Sequence, residues 1–179
     1  ESADTFTAGV VFTPPSITGF SLALDYYDIQ IDDVIQAPNP DDVVMACATT
    51  GDPGLCSLIH RDAAGTLWLM TTAFTESISA NLGTLYGEGL DLNYSWLIGL
   101  GDAGFLNTSL QATYTLTNRV SNPLYDYDCV GYYGDNCAPY PTPEWRHLSR
   151  ISWETNFDMV FSLGWRYITA VEHDDASGD

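Results

Sequence analysis

The chain contains no lysine. Its basic side chains are five arginines against 24 aspartates and glutamates, a formal charge of −19 over 179 residues. A surface of that sign repels phosphate backbones, which argues against a nucleic-acid partner. Long apolar runs are missing too: none approaches the roughly 20 residues of a membrane-spanning helix. Glu1-Ser2-Ala3-Asp4 has neither the basic region nor the apolar core of a signal peptide, so a processed chain, or one that starts inside something larger, is expected. Only 16% of residues are charged while 13% are aromatic, with eleven Tyr and five Trp. A disordered acidic segment would be poor in aromatics, so the chain is expected to fold.

Catalytic patterns are also lacking. There is no Gly-x-Ser-x-Gly elbow, and His60, His147 and His173 have no metal-ligand spacing. Gly99 to Gly104 reads GLGDAG and matches the G-x-G-x-x-G of phosphate-binding loops. Such a loop works only when a helix N-terminus follows it. Here Phe105 to Gln111 follows with a period of two, so the glycines mark a turn between strands. His60-Arg61-Asp62 matches the start of a kinase catalytic loop, but the position five residues beyond Asp62 is Leu67 and not Asn. That tripeptide reads as a polar loop ending in a turn before Thr66-Leu67-Trp68. Asp126-Tyr127-Asp128 and Asp174-Asp175 lack the Gly and distal Glu of a calcium loop and read as solvated tips. Asn93-Tyr94-Ser95 and Asn107-Thr108-Ser109 are glycosylation sequons by pattern alone, since both lie in strand-like stretches. No enzyme, metal or cofactor is expected.

What is present is alternation. Thr5 to Phe12 places Phe6, Ala8, Val10 and Phe12 on one face. Residues 88–98 set Leu90, Leu92, Tyr94, Trp96 and Ile98 against Gly89, Asp91, Asn93 and Ser95. Residues 105–117 set Leu106, Leu110, Ala112, Tyr114 and Leu116 against Asn107, Ser109, Gln111, Thr113 and Thr115. Residues 157–167 set Phe157, Met159, Phe161, Leu163, Trp165 and Tyr167 against Asp158, Ser162, Gly164 and Arg166. Each is a strand with one apolar and one polar face. Ser21 to Ile31 and Trp145 to Trp153 are strands with less regular patterns, and residues 67–75 are a weaker candidate. These runs exceed the usual ~5–6 residues of soluble strands and match the ~9–11 that a tilted strand needs to cross a bilayer. Aromatics end several apolar rows, as rings do at a membrane–water boundary.

The connections alternate as well. Short ones cover 13–19, 99–104 and 154–156; long ones cover about 32–66 and 118–144, and each long one holds a cysteine pair. Cys47 with Cys56, and Cys129 with Cys137, are spaced too widely for a typical zinc site and read as two loop-closing disulfides, with free thiols as the alternative. Asn39-Pro40-Asp41-Asp42 can start a helix within the first long loop, Gly51 to Gly54 breaks it, and a second turn can carry Leu55 to Ile59. The fold class expected is all-β: antiparallel transmembrane β-barrel staves with short turns on one side and long loops on the other.

Glu1 to Gly9 followed by Gly19 to Ile31, with its Asp25-Tyr26-Tyr27-Asp28-Ile29, resembles the C-terminal barrel staves of TonB-dependent outer-membrane receptors. Asn81-Leu82-Gly83 with Gly87-Glu88-Gly89-Leu90-Asp91 is similar to a further strand pair of that family, and Pro143-Glu144-Trp145-Arg146-His147 to the start of a later stave. The resemblance implies a barrel of about twenty-two strands around a plug, energised from the inner membrane and importing iron chelates, cobalamin or glycans. Residues 1–179 would then be part of one such barrel domain, with roughly six to eight staves and no plug. The implied partners are outer-membrane lipid, the rest of the barrel with its plug, and the inner-membrane energising complex. The implied location is the outer membrane of a Gram-negative bacterium. Asn93, Ser95, Asn107, Ser109, Gln111 and Thr113 would line the lumen. Tyr125, Tyr127, Tyr132, Tyr133 and Tyr140 would meet a ligand outside the cell, or else pack their own loop. The alternative reading is a released fragment or structural β-protein that self-associates through its sheet edges and transports nothing.

Overall fold

The computed structural model describes residues 1–134, 137 and 140–174. Its strands are β1 (Ser2–Phe12), β2 (Phe20–Gln36), β3 (Ile59–His60), β4 (Phe74–Thr75), β5 (Ala80–Gly99) and β6 (Phe105–Ser121). They continue with β7 (Asp126–Asp128), β8 (Tyr132–Tyr133), β9 (Trp145–Glu154), β10 (Val160–Ile168) and β11 (Glu172–His173). Helices α1 (Pro40–Thr50) and α2 (Pro53–Ser57) lie between β2 and β3. Six long strands form one sheet in the order β1-β2-β5-β6-β9-β10, with β7 on β6. Sequential long strands are neighbours throughout, the meander of an up-and-down wall. The sheet is open, with β1 and β10 at its edges.

One compact unit comprises Ala3–Gln30, Leu85–Val120 and Tyr127–Asp179. It contains the alternating stretches of the long strands, and their register sorts the side chains. On β6 and β9 the pairs Leu106↔Trp153, Thr108↔Ile151, Leu110↔Ser149, Ala112↔His147 and Tyr114↔Trp145 share a face. Phe161↔Trp153, Leu163↔Ile151, Trp165↔Ser149 and Tyr167↔His147 carry it onto β10. Phe20 continues it toward β5 by edge contacts with Tyr94 and Trp96, at 5.7 and 6.2 Å between ring centroids. Among the described residues nothing covers this face: Leu163 is 71% exposed, Trp165 61% and Val10 60%. Several of its hydroxyls are tied to protein atoms. Ser149 donates to the Trp165 carbonyl at 3.4 Å, and Tyr94 Oη and Thr108 Oγ1 lie 2.9 Å apart. Hydroxyls held in this way suit a hydrocarbon surrounding, where no water is available to satisfy them.

The short turns close tightly. In the β5–β6 turn Leu100 donates its N–H to the Gly104 carbonyl at 2.8 Å, around a 3-10 turn at Gly101–Ala103. Gly104 has φ 95°, and a Cβ there would run into the Glu154 carbonyl oxygen, so only glycine fits. The turn after β9 leans on this one: Trp153 Nε1 donates to the Ala103 carbonyl at 2.8 Å, and Asn156 Nδ2 to the Asp102 carbonyl at 2.7 Å.

The second unit comprises Glu1–Ser2, Ile31–Thr84 and Ser121–Asp126. Asn39 caps α1 by accepting the Asp41 N–H at 3.1 Å, and Asp52 caps α2 by accepting from Gly54 and Leu55 at 2.7 and 3.0 Å. Gly51 ends α1 in the left-handed conformation at φ 67°. The Cys47–Cys56 disulfide ties the two helices together. Helix α1 buries Val43 completely.

Three boundaries differ from the sequence reading. Residues 67–75 are not a strand: only Phe74–Thr75 pairs, with Ile59–His60, and Trp68 is 78% exposed. An apolar composition without alternation gave that stretch no face to bury. Strands β2, β5 and β6 run to 17, 20 and 17 residues, so the long connections begin later or end later than 32–66 and 118–144 suggest. The extra residues carry no clean period of two, which is why alternation alone stopped short. Phe157 and Met159 fall in the turn before β10, not in the strand.

Candidate functional site

The polar face of the sheet is the first candidate surface. Register places Asn107↔Ser152, Ser109↔Arg150, Gln111↔Leu148 and Thr113↔Arg146 side by side. β10 adds Ser162, Gly164, Arg166 and Ile168 opposite Ser152, Arg150, Leu148 and Arg146. The Thr113 hydroxyl donates to Asp91 Oδ1 at 2.8 Å, tying β6 to β5 on this face. Five of the six residues expected to line a lumen bound two recesses: Asn93, Gln111 and Thr113 one of about 610 Å³, and Asn93, Ser95, Ser109 and Gln111 one of about 260 Å³. Sequence reading put Arg166 on a polar face but passed over Arg146 and Arg150. The signal was there: Arg146 and Arg150 are an even number of residues apart on one strand, hence on one face.

The loop tyrosines are the second. Cys129 and Cys137 are joined, and both are buried. Next to this bridge the Tyr127 and Tyr132 rings meet edge to face at 5.7 Å. Tyr133 packs its ring on His173 at 5.2 Å, while Tyr140 is 76% exposed. Tyr125 belongs to the other unit, where it lines an apolar cavity of about 220 Å³ with Leu55, Leu58, Ile78, Pro123 and Leu124. Of the five tyrosines, then, the structure pairs Tyr127 with Tyr132 and leaves Tyr140 turned to solvent.

The two nucleotide-like motifs are structural. GLGDAG is the β5–β6 turn described above. In His60-Arg61-Asp62, Asp62 is a buried turn anchor whose Oδ1 accepts the Ala64 and Thr66 N–H groups at 2.9 and 2.8 Å. The Thr66 hydroxyl bonds Oδ2, and this bond, followed by the Thr66 backbone N–H, holds the carboxyl below the usual carboxylate range. His60 Nε2 meets Glu76 Oε1 at 2.7 Å. Among the described residues no cluster of His, Cys, Asp or Glu could hold a metal ion. Asp128 Oδ1 instead accepts the N–H groups of Asn118 and Val130, at 3.2 and 3.1 Å. Asp175 lies outside the described residues.

An open antiparallel wall, apolar and uncovered on one face and polar on the other, with tight turns alternating with long disulfide-bridged connections, defines a segment of a transmembrane β-barrel. The family model described as TonB dependent receptor-like, beta-barrel, matches residues 1–179. The chain belongs to that family, whose members are outer-membrane transporters and receptors of Gram-negative bacteria. No curated protein and no solved structure matches the chain.

Proposed function

We propose that these residues form part of the wall of an active-transport receptor in the outer membrane, one that imports a scarce nutrient such as an iron chelate, cobalamin or a glycan. The carrying observation is the two-faced register of β6, β9 and β10, which sets Leu110, Ile151 and Leu163 toward one side and Gln111, Arg150 and Arg166 toward the other. The apolar side faces lipid and the polar side lines the lumen. The rest of the barrel pairs with the edges at β1 and β10, because unpaired backbone groups cost several kcal/mol each in hydrocarbon. The plug and the inner-membrane energising complex complete the machine. The long connections lie outside the cell, where Tyr125, Tyr127, Tyr132, Tyr133 and Tyr140 contact the ligand.

Deleting residues 121–140 tests the tyrosine role. In a receptor that still reaches the outer membrane, uptake falls at least tenfold on whichever iron chelate, cobalamin or glycan the intact receptor imports; unchanged uptake defeats it. The open edges favour one other reading, a released piece that pairs edge to edge with its own copies and transports nothing. Its mark would be a species near 19.6 kDa that stays in solution without detergent.

A further inference from the structure

Three of the five arginines occupy one small area of the polar face. Arg146 and Arg150 lie four residues apart on β9, and β10 places Arg166 opposite Leu148, midway between them. Alternate residues on a strand are about 7 Å apart, and diagonal neighbours on adjacent strands about 7–8 Å. Long side chains from all three positions therefore reach a common area. Arg150 Nη1 donates to Ser162 Oγ at 3.2 Å. Among the described residues none of the three forms an ion pair.

Hydroxyl side chains flank them: Ser109 stands opposite Arg150 and Thr113 opposite Arg146, and one carboxylate, Asp91, borders the same recess. Arg146 and Arg166 border the recess of about 610 Å³ together with Asn93 and Gln111. That size lies within the roughly 300–1,000 Å³ of small-molecule pockets. The nearby carboxylate of Asp91 already accepts the Thr113 hydroxyl. In a chain of formal charge −19, a trio of arginines that form no ion pair among the described residues runs against the overall composition. Guanidinium forks bind carboxylate, phosphate and sulfonate oxygens two at a time. Three forks at this spacing suit a ligand with more than one such group.

We propose that Arg146, Arg150 and Arg166 form a binding strip for a small polyanion, a molecule carrying two or more carboxylate, phosphate or sulfonate groups. The inference rests on the reading that the polar face lines an aqueous lumen. Within that lumen the strip concentrates anions against the sign of the rest of the chain.

Thiol labelling separates the two ideas. The four cysteines of residues 1–179 are all in disulfides, so this stretch adds no free-thiol background, and labelling of the receptor without either new cysteine is subtracted. Ser109→Cys places a thiol opposite Arg150, and Ala63→Cys places one in an exposed loop as an assembly control. The intact receptor in outer membranes is treated with sulfonatoethyl and with trimethylammonioethyl methanethiosulfonate. The expected result is that the anionic reagent labels Ser109→Cys about tenfold faster than the cationic one, relative to the same ratio at Ala63→Cys. Citrate slows that labelling. The preference falls to near parity when all three arginines become Gln and persists when they become Lys.

If neither reagent reaches Ser109→Cys while Ala63→Cys reacts, the lumen reading itself fails. If both reach it at equal rates, the lumen reading stands and the polyanion strip is overturned, the arginines being neutralised by an acidic protein segment. A preference that survives the triple Gln variant also overturns it.

Discussion

Leu110→Arg is the sharpest test of which face meets lipid. Leu110 is the register partner of Ser149, which lies halfway along β9 between Trp145 and Trp153. Those two tryptophans are eight residues apart, about 26 Å along the strand and about 20 Å along the membrane normal at a 40° tilt. Leu110 therefore sits near the centre of the apolar band, about 10 Å from either aromatic row. An arginine there costs about 2–4 kcal/mol, whereas near the rows it would cost no more than about 1. That corresponds to roughly a thirty- to several-hundred-fold loss in the folding equilibrium. Asn107→Arg is the matched control: the same new side chain on the same strand, facing the polar side, where Asn107 is exposed opposite Ser152. Its cost stays under about 1 kcal/mol, mostly mild repulsion from Arg150 on the diagonal. Denaturant unfolding of the receptor in lipid vesicles, followed by tryptophan fluorescence, measures both. Equal costs for the two variants, or a cost below about 1 kcal/mol for Leu110→Arg, would refute the assignment of faces.

Three further outcomes are expected. Gly104→Ala destabilises by more than about 1 kcal/mol in the same assay, because alanine at φ 95° is strained and its Cβ meets the Glu154 carbonyl oxygen. Converting Cys47 and Cys56 together to Ser removes a bridge with a sequence separation of 9. Loop-closure entropy puts that loss at roughly 2–3 kcal/mol. It appears as faster proteolysis within 40–57, while protection of the β6, β9 and β10 amides is unchanged. For Asp62, whose folded pKa is depressed mainly by the Thr66 hydroxyl, the stabilising contribution is fully present above the ordinary carboxylate pKa. It is lost as pH falls through the lowered folded value. Protection of the Ala64 and Thr66 amides, relative to the intrinsic exchange rate at each pH, should therefore stay high at pH 5 and fall only in strong acid, whereas in Asp62→Ala it is low at both.

How far the amino-acid sequence alone reveals the fold depends on the physics of each segment. The staves are readable where a bilayer imposes two different solvents on one strand: Leu110 beside Gln111 and Leu163 beside Gly164 follow from alternation alone. Beyond that zone the rule weakens, and residues such as Asp32 and Asp33 at the far end of β2 give no sign that the strand continues to Gln36. The Asn39 and Asp52 caps are readable because a short polar side chain before Pro is a local signal. Pairings between distant short pieces are not, among them the parallel match of Glu172 and His173 with Tyr132 and Tyr133. No sequence period records such contacts. The arginine strip escapes for a different reason: Arg166 lies on another strand, and only register sets it opposite Leu148.

The two bridges span only eight and nine positions of chain, Cys129 to Cys137 and Cys47 to Cys56. Each can therefore close while the surrounding strands are still unpaired, since forming it requires only a local encounter. The bridge fixes its own short loop first, and in the second loop Tyr132 and Tyr133 then meet Glu172 and His173 from beyond β10. Insertions, deletions and new side chains inside the Cys47–Cys56 loop leave the register of the long strands untouched. Natural variation can then rework the outward-reaching loops residue by residue while the staves stay fixed, separating the part of the chain that evolves with its surroundings from the part that must always fit a membrane.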